Sequence, residues 1–117
     1  MANEIQKKYI YTLIRVSTER LDFNNATDLK AEMVLLNNNR ESNIIVDLSK
    51  CYYCDSTGLR TLLVGNRLCE NAIGTFILCG LRPDVEHLIR ISMLHTVFLI
   101  TKTPEEAENL LKRKMEM

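Results

Sequence analysis

The chain has no tryptophan, two prolines and four glycines in 117 residues, and it carries no surplus of either charge. Each shortage closes off a class of protein. So few chain breakers leave no room for a Pro- or Gly-rich linker or a low-complexity tail. Fifteen Lys and Arg balance fifteen Asp and Glu. Without a basic surplus there is no counterion release to drive nucleic-acid binding, and no pull toward an anionic bilayer. The densest basic cluster, Lys112-Arg113-Lys114, falls at the end of a C-terminal helix, where positive charge complements the helix dipole. No window approaches the roughly 18 apolar residues of a membrane span, and the opening Met1-Ala2-Asn3-Glu4 lacks the basic and apolar regions of a secretory signal. A soluble, cytoplasmic protein without direct membrane insertion is expected. Its four cysteines, Cys51, Cys54, Cys69 and Cys79, are then expected to be reduced thiols.

What is present is enough for one core. With 46% hydrophobic residues in 117, residues 1–117 make a single domain that needs neither disulfides nor a metal to fold. Tyr9 to Val16 alternates with a period of two and predicts a strand, to which residues 1–8 can add an edge strand. Asn24 or Asn25 is placed to cap a helix from Ala26, whose apolar stripe is Ala26, Leu29, Met33 and Leu36, and Asn37-Asn38-Asn39 suits its left-handed stop. Ile44-Ile45-Val46 with Leu48 reads as a central strand covered on both faces. A helix follows with Leu59, Leu62, Leu63 and Cys69 on one face, ended by Asn71 and Gly74. Thr75 to Cys79 predicts another strand. Pro83 opens a helix that turns Val85, Leu88, Ile89 and Met93 inward. Val97 to Ile100 predicts the last strand, and Thr103-Pro104-Glu105-Glu106 is a capping box ahead of a closing helix that frays over 112–117.

Strand and helix alternate, which predicts an α/β fold: a mostly parallel sheet of four to five strands with about four helices. In such a sheet the strand-to-helix junctions gather on one edge. Asp22, Asn24 and Asn25, then Asp55 to Gly58, then Arg82, meet on the carboxyl side, where open parallel sheets bind their ligands.

Little there suggests catalysis. Cys51 and Cys54 lack the second close pair a zinc ribbon needs, and in extended chain residues three apart point to opposite faces. Ser56 lacks a nucleophile elbow, and His87 and His95 are expected on and after a helix leading away from it. Gly58 stands alone, with no phosphate-cradling loop and lysine. No enzymatic activity, metal or cofactor is expected. The unusual feature is Asp55-Ser56-Thr57-Gly58-Leu59, an acid and a hydroxyl pair at a strand-to-helix junction. Two readings of it stay open: Asp55 or Ser56 is simply an N-cap, with Gly58 a weak helix residue, or Gly58 marks the close approach of another backbone.

Val46-Asp47-Leu48 and Tyr53-Cys54-Asp55-Ser56-Thr57-Gly58-Leu59 resemble the signature of STAS domains, specifically the single-domain anti-sigma factor antagonists of bacteria. The resemblance extends to Leu21-Asp22, Pro83-Asp84-Val85, Ser92-Met93-Leu94 and Glu105-Glu106-Ala107. It implies partner switching. The unphosphorylated protein binds an ATP-using serine kinase that doubles as an anti-sigma factor, phosphorylation releases it, and a serine phosphatase resets the switch. By this resemblance Ser56 is the acceptor and Thr57 the lesser candidate. The partner-binding surface comprises Asp22, Asn24, Asn25, Asp55, Ser56, Thr57, Gly58 and Arg60. The same fold can instead serve as an adaptor subunit of a transporter or signalling scaffold. The sequence departs from the family in two places: no glycine precedes Leu21-Asp22, which bears on the loop there, and Met93 replaces a turn glycine, which is expected to alter only packing.

Overall fold

Ile44, Ile45, Val46 and Asp47 are all buried, as a strand with partners on both sides and layers on both faces must be. The computed structural model describes residues 3–116 and places this strand at the centre of the sheet. In chain order the elements are β1 (Glu4–Lys7), β2 (Thr12–Arg15), β3 (Arg20–Leu21), α1 (Ala26–Asn38), β4 (Ile44–Asp47), β5 (Tyr53–Cys54), α2 (Ser56–Asn71), β6 (Phe76–Cys79), α3 (Pro83–Ile91), β7 (Leu99–Thr101) and α4 (Pro104–Met115), with a 3-10 turn at Leu94–Thr96. The main sheet runs β1-β2-β4-β6-β7. Only β1 is antiparallel to its neighbour. It is the edge strand expected from residues 1–8, of which Met1 and Ala2 lie outside the described residues.

The two-residue period of the strands divides the core. Ile14, Ile44, Val46, Phe76 and Leu78 pack with residues of α1, α2 and α3. Leu13, Ile45, Ile77 and Cys79 pack with Ala107 and Leu111 of α4. Three helices therefore cover one face and α4 the other. The parallel crossovers bring the ends of β2, β4 and β6 to one edge, as the alternation of elements requires.

Several boundaries depart from the sequence expectation. The first alternating strand starts at Thr12, not Tyr9, because Lys8 N–H donates to the Tyr11 carbonyl and turns the chain there. β3 and β5 pair in parallel as a separate two-stranded sheet; two residues each are too few for any periodicity to announce. β7 begins at Leu99, since Val97 still belongs to the turn closed by its N–H on Leu94 O. Met93 does not point inward: it is 62% exposed and left-handed, with φ 61°, so the missing glycine costs backbone strain as well as packing. The left-handed stop after α1 falls on Arg40 (φ 65°) rather than on an asparagine. At α4 the Thr103 hydroxyl accepts from Glu106 N–H at 3.1 Å, but the Glu106 carboxylate takes the N–H of Lys102 instead of completing the box.

Candidate functional site

The β3–β5 pair ties two loops together before either reaches its helix. Arg20 lies opposite Tyr53 and Leu21 opposite Cys54, and Asp55 N–H extends the ladder to the Leu21 carbonyl at 3.2 Å. The chain then enters α2 at Ser56. Asp55 is the N-cap, and its Oδ1 accepts from Gly58 N–H at 2.8 Å. Its Oδ2 accepts from Phe23 N–H at 3.3 Å, so one carboxylate pins the α2 terminus and the loop before α1. Gly58 is buried against that loop, and a Cβ there would collide with the Leu21 carbonyl oxygen. Both readings of the motif are thus realised together: a cap at Asp55 and a close backbone approach at Gly58.

Ser56 and Arg60 are exposed and Thr57 is half-buried, so the first turn of α2 presents hydroxyls and a guanidinium outward. Across from them Asn24 is exposed, whereas Asp22 is only 7% exposed. The Asp22 carboxylate turns into its own loop, accepting from Asn24 N–H at 3.0 Å and from Arg20 Nε at 3.2 Å. Asn25 precedes α1 but does not cap it with its side chain. Its amide instead braces the loop, accepting from Asp22 N–H and donating to Thr18 Oγ1 and the Arg20 carbonyl. None of residues 17–22 has positive φ, so the loop dispenses with the absent glycine at no conformational cost.

Arg82 was expected at this edge; the aromatic rings beside it were not singled out from the sequence. The guanidinium of Arg20 lies 4.1 Å from the Tyr53 ring centroid and that of Arg82 4.4 Å from Tyr52, both within cation–π range. Arg82 also donates to the Tyr52 hydroxyl at 2.8 Å. Phe23 is 71% exposed, Tyr52 50% and Tyr53 42%. The chain has only four tyrosines and three phenylalanines, so these rings around one junction make an aromatic rim of the kind found at protein–protein contacts. The adjacent Tyr52-Tyr53 pair just before the motif was the available signal.

His87 does not lead away from Ser56. Tyr53, Cys54, Asp55 and Ser56 line one side of a groove of about 440 Å³, and Asp84, His87, Leu88 and Ile91 line the other. His95, in the 3-10 turn, instead lines a separate groove with Arg90 of α3 and Arg113 of α4. The four cysteines are free and buried. Cys51 Sγ donates to the Tyr53 carbonyl at 3.2 Å and Cys54 Sγ to that of Asp55 at 3.4 Å. Burial raises the Cys51 thiol and pushes Cys54, Cys69 and Cys79 up to about 12, which suppresses the thiolate that redox or metal chemistry requires. Among the described residues no group of three or more His, Cys, Asp or Glu could hold a metal ion, and no helix is long and apolar enough to cross a membrane.

Comparison with known proteins agrees with this fold. The STAS domain model matches residues 3–107. BtrV of Bordetella bronchiseptica, provisionally described as an anti-sigma factor antagonist, is 30% identical over 88 residues, covering 75% of this chain and 76% of BtrV. The anti-sigma factor antagonist (STAS) domain protein of Planctomyces limnophilus superposes with a TM-score of 0.87 at 16% identity, covering 96% of this chain and 99% of that one. The Bacillus cell fate determinant SpoIIAA in its phosphorylated form gives 0.72 at 22% identity, covering 92% and 97%.

Proposed function

The chain belongs to the STAS domain family, and from that premise we propose that it is an anti-sigma factor antagonist that works by partner switching, with Ser56 as its phosphorylation site. In its unmodified form it binds a serine kinase that also acts as an anti-sigma factor, and a sigma factor is thereby freed. Homology to BtrV supports the general role. The observation that carries the reading is the Ser56 hydroxyl, exposed on the first residue of α2 and close to the aromatic rim. Asn24, Asp55, Thr57 and Arg60 supply polar contacts around it, while Asp22, Asn25 and Gly58 hold the surface in shape from beneath.

The switch is electrostatic. The kinase transfers the terminal phosphoryl group of ATP to Ser56 Oγ: the Oγ–P bond forms, the bond to the β-phosphate bridging oxygen breaks, ADP leaves, and the hydroxyl proton passes to the kinase's base. A serine phosphatase returns the hydroxyl by hydrolysis. The phosphate adds about −1.5 to −2 charge beside Asp55. One pair of unit charges about 5 Å apart at an effective dielectric near 20 repels by roughly 3 kcal/mol. About 1.4 kcal/mol, less than half of that, is already tenfold in affinity. The α2 N-terminus offsets part of the repulsion within the free domain, so modification alters the surface more than the fold.

Incubation with lysate of the native cell and ATP should place one phosphoryl group on the peptide containing Ser56, located by mass spectrometry, and none on Ser56→Ala. Ser56→Asp should bind the captured kinase at least tenfold more weakly while changing stability by less than about 0.5 kcal/mol. Equal kinase binding by both proteins would remove the switch. Capture of a multi-subunit membrane complex in place of a kinase would favour the adaptor reading.

A further inference from the structure

The partner-switching reading leaves His87 without a task. α3 is seated by Val85 and Ile89, which are buried. That anchoring turns the adjacent stripe, Asp84, His87, Leu88 and Ile91 at positions i, i+3, i+4 and i+7, toward Ser56 across the groove. Leu88, Ile91 and Cys54 give the groove apolar walls, which screen charges less well than water does. Its ionisable groups are Asp55 and Tyr53 on one side and Asp84 and His87 on the other, besides the buried Cys54 thiol. Asp55 is already engaged by two backbone N–H groups. Glu86 and Arg90, the nearby charges on α3, pair with each other at 3.2 Å.

We propose that His87 is the counter-charge that receives the phosphoryl group on Ser56. This rests on Ser56 being the modified residue. A phosphate there enters a groove that holds two carboxylates, and His87 is the one basic side chain lining it; Arg60, exposed one turn along α2, and Arg82, ahead of α3, lie outside that lining. Histidine changes charge between pH 5 and 8, and the second ionisation of phosphoserine lies near pH 6. An imidazolium across the groove draws the second proton off the phosphate earlier and holds the dianion against the lip. The helix N-terminus supplies one attraction, and His87 supplies a second from across the groove.

The test is a ³¹P titration of protein carrying phosphoserine installed at position 56 during translation, compared with the same protein bearing His87→Gln. His87 is exposed, so the substitution leaves the core intact. The second phosphate ionisation should fall at lower pH in the wild type than in the variant, by about half a unit or more. The difference should shrink with added salt and vanish in denaturing urea. Superimposable folded-state titrations would overturn the proposal. Because the phosphoryl group is installed without a kinase, the expected ³¹P difference between wild type and His87→Gln alongside kinase binding indifferent to Ser56→Asp would sink the switching reading and leave the pairing standing.

Discussion

A side chain at Gly58 would enter the space held by the Leu21 carbonyl oxygen and the Cys54 sulfur. Helix propensity alone favours alanine over glycine by about 1 kcal/mol, yet the contact here is with backbone that cannot swing aside. Gly58→Ala should therefore destabilise the domain by about 1–3 kcal/mol in urea unfolding, the usual range for forcing extra volume into a packed site. A gain in stability would mean that the β3 loop is not locked against α2. The acid and hydroxyls of this motif were legible because their residue types and spacing carry the chemistry. The aromatic rim was signalled only by the adjacent Tyr52-Tyr53 pair, and the place of His87 not at all. Exposure of Phe23 and Tyr53, and the inward turn of an α3 face toward Ser56, depend on which crossover lands beside which, and no local pattern encodes that.

Helix endings give the clearest case at the level of elements. α2 stops in a Schellman arrangement: Gly74 N–H donates to the Cys69 carbonyl at 2.7 Å and Ile73 N–H to that of Glu70 at 3.0 Å. The left-handed position belongs to Ile73, with φ 58°, and a β-branched residue in that region is a genuine outlier. Gly74, which looked like the stop, holds the next position because a Cβ there would strike the Ser42 backbone. Ile73 is 96% exposed, so it repays none of its strain by burial. Ile73→Gly should raise stability by about 1 kcal/mol, or about 4 °C in melting temperature, read by calorimetry; an unchanged or lower melting temperature would refute it. The same logic explains which elements could be read ahead. α1, α2, β4, β6 and α4 carry long stripes or dense β-branched runs that tertiary packing reinforces. β3 and β5 exist only because the loops they tie together pair, and β7 is displaced by a turn forced through a left-handed methionine at position 93.

The two layers of the molecule share one liability. Cys54 and Cys69 lie in the core under α1, α2 and α3, and Cys79 and Tyr11 in the core under α4. Burial raises Cys54, Cys69 and Cys79 from 9.0 to about 12, and burial with a hydrogen bond to Glu108 raises Tyr11 from 10.0 to about 12. In each case the native state keeps a proton that the unfolded chain has released, so the stabilisation is intact below the unfolded value and is lost as pH climbs toward the folded one. Each thiol then removes about 1.4 kcal/mol per pH unit above pH 9. Three together remove about 4 kcal/mol per unit, against a total stability of about 5–15 kcal/mol for a domain. The urea midpoint should fall steeply between about pH 9 and 11, with thiolate ultraviolet absorbance appearing together with the loss of helical circular dichroism. Thiolate signal growing at pH 9–10 while the dichroism stays native would show these sulfurs to be open to solvent, and the apolar walls that bring the groove beside Ser56 close to its charges would be less dry than the packing of Cys54 implies.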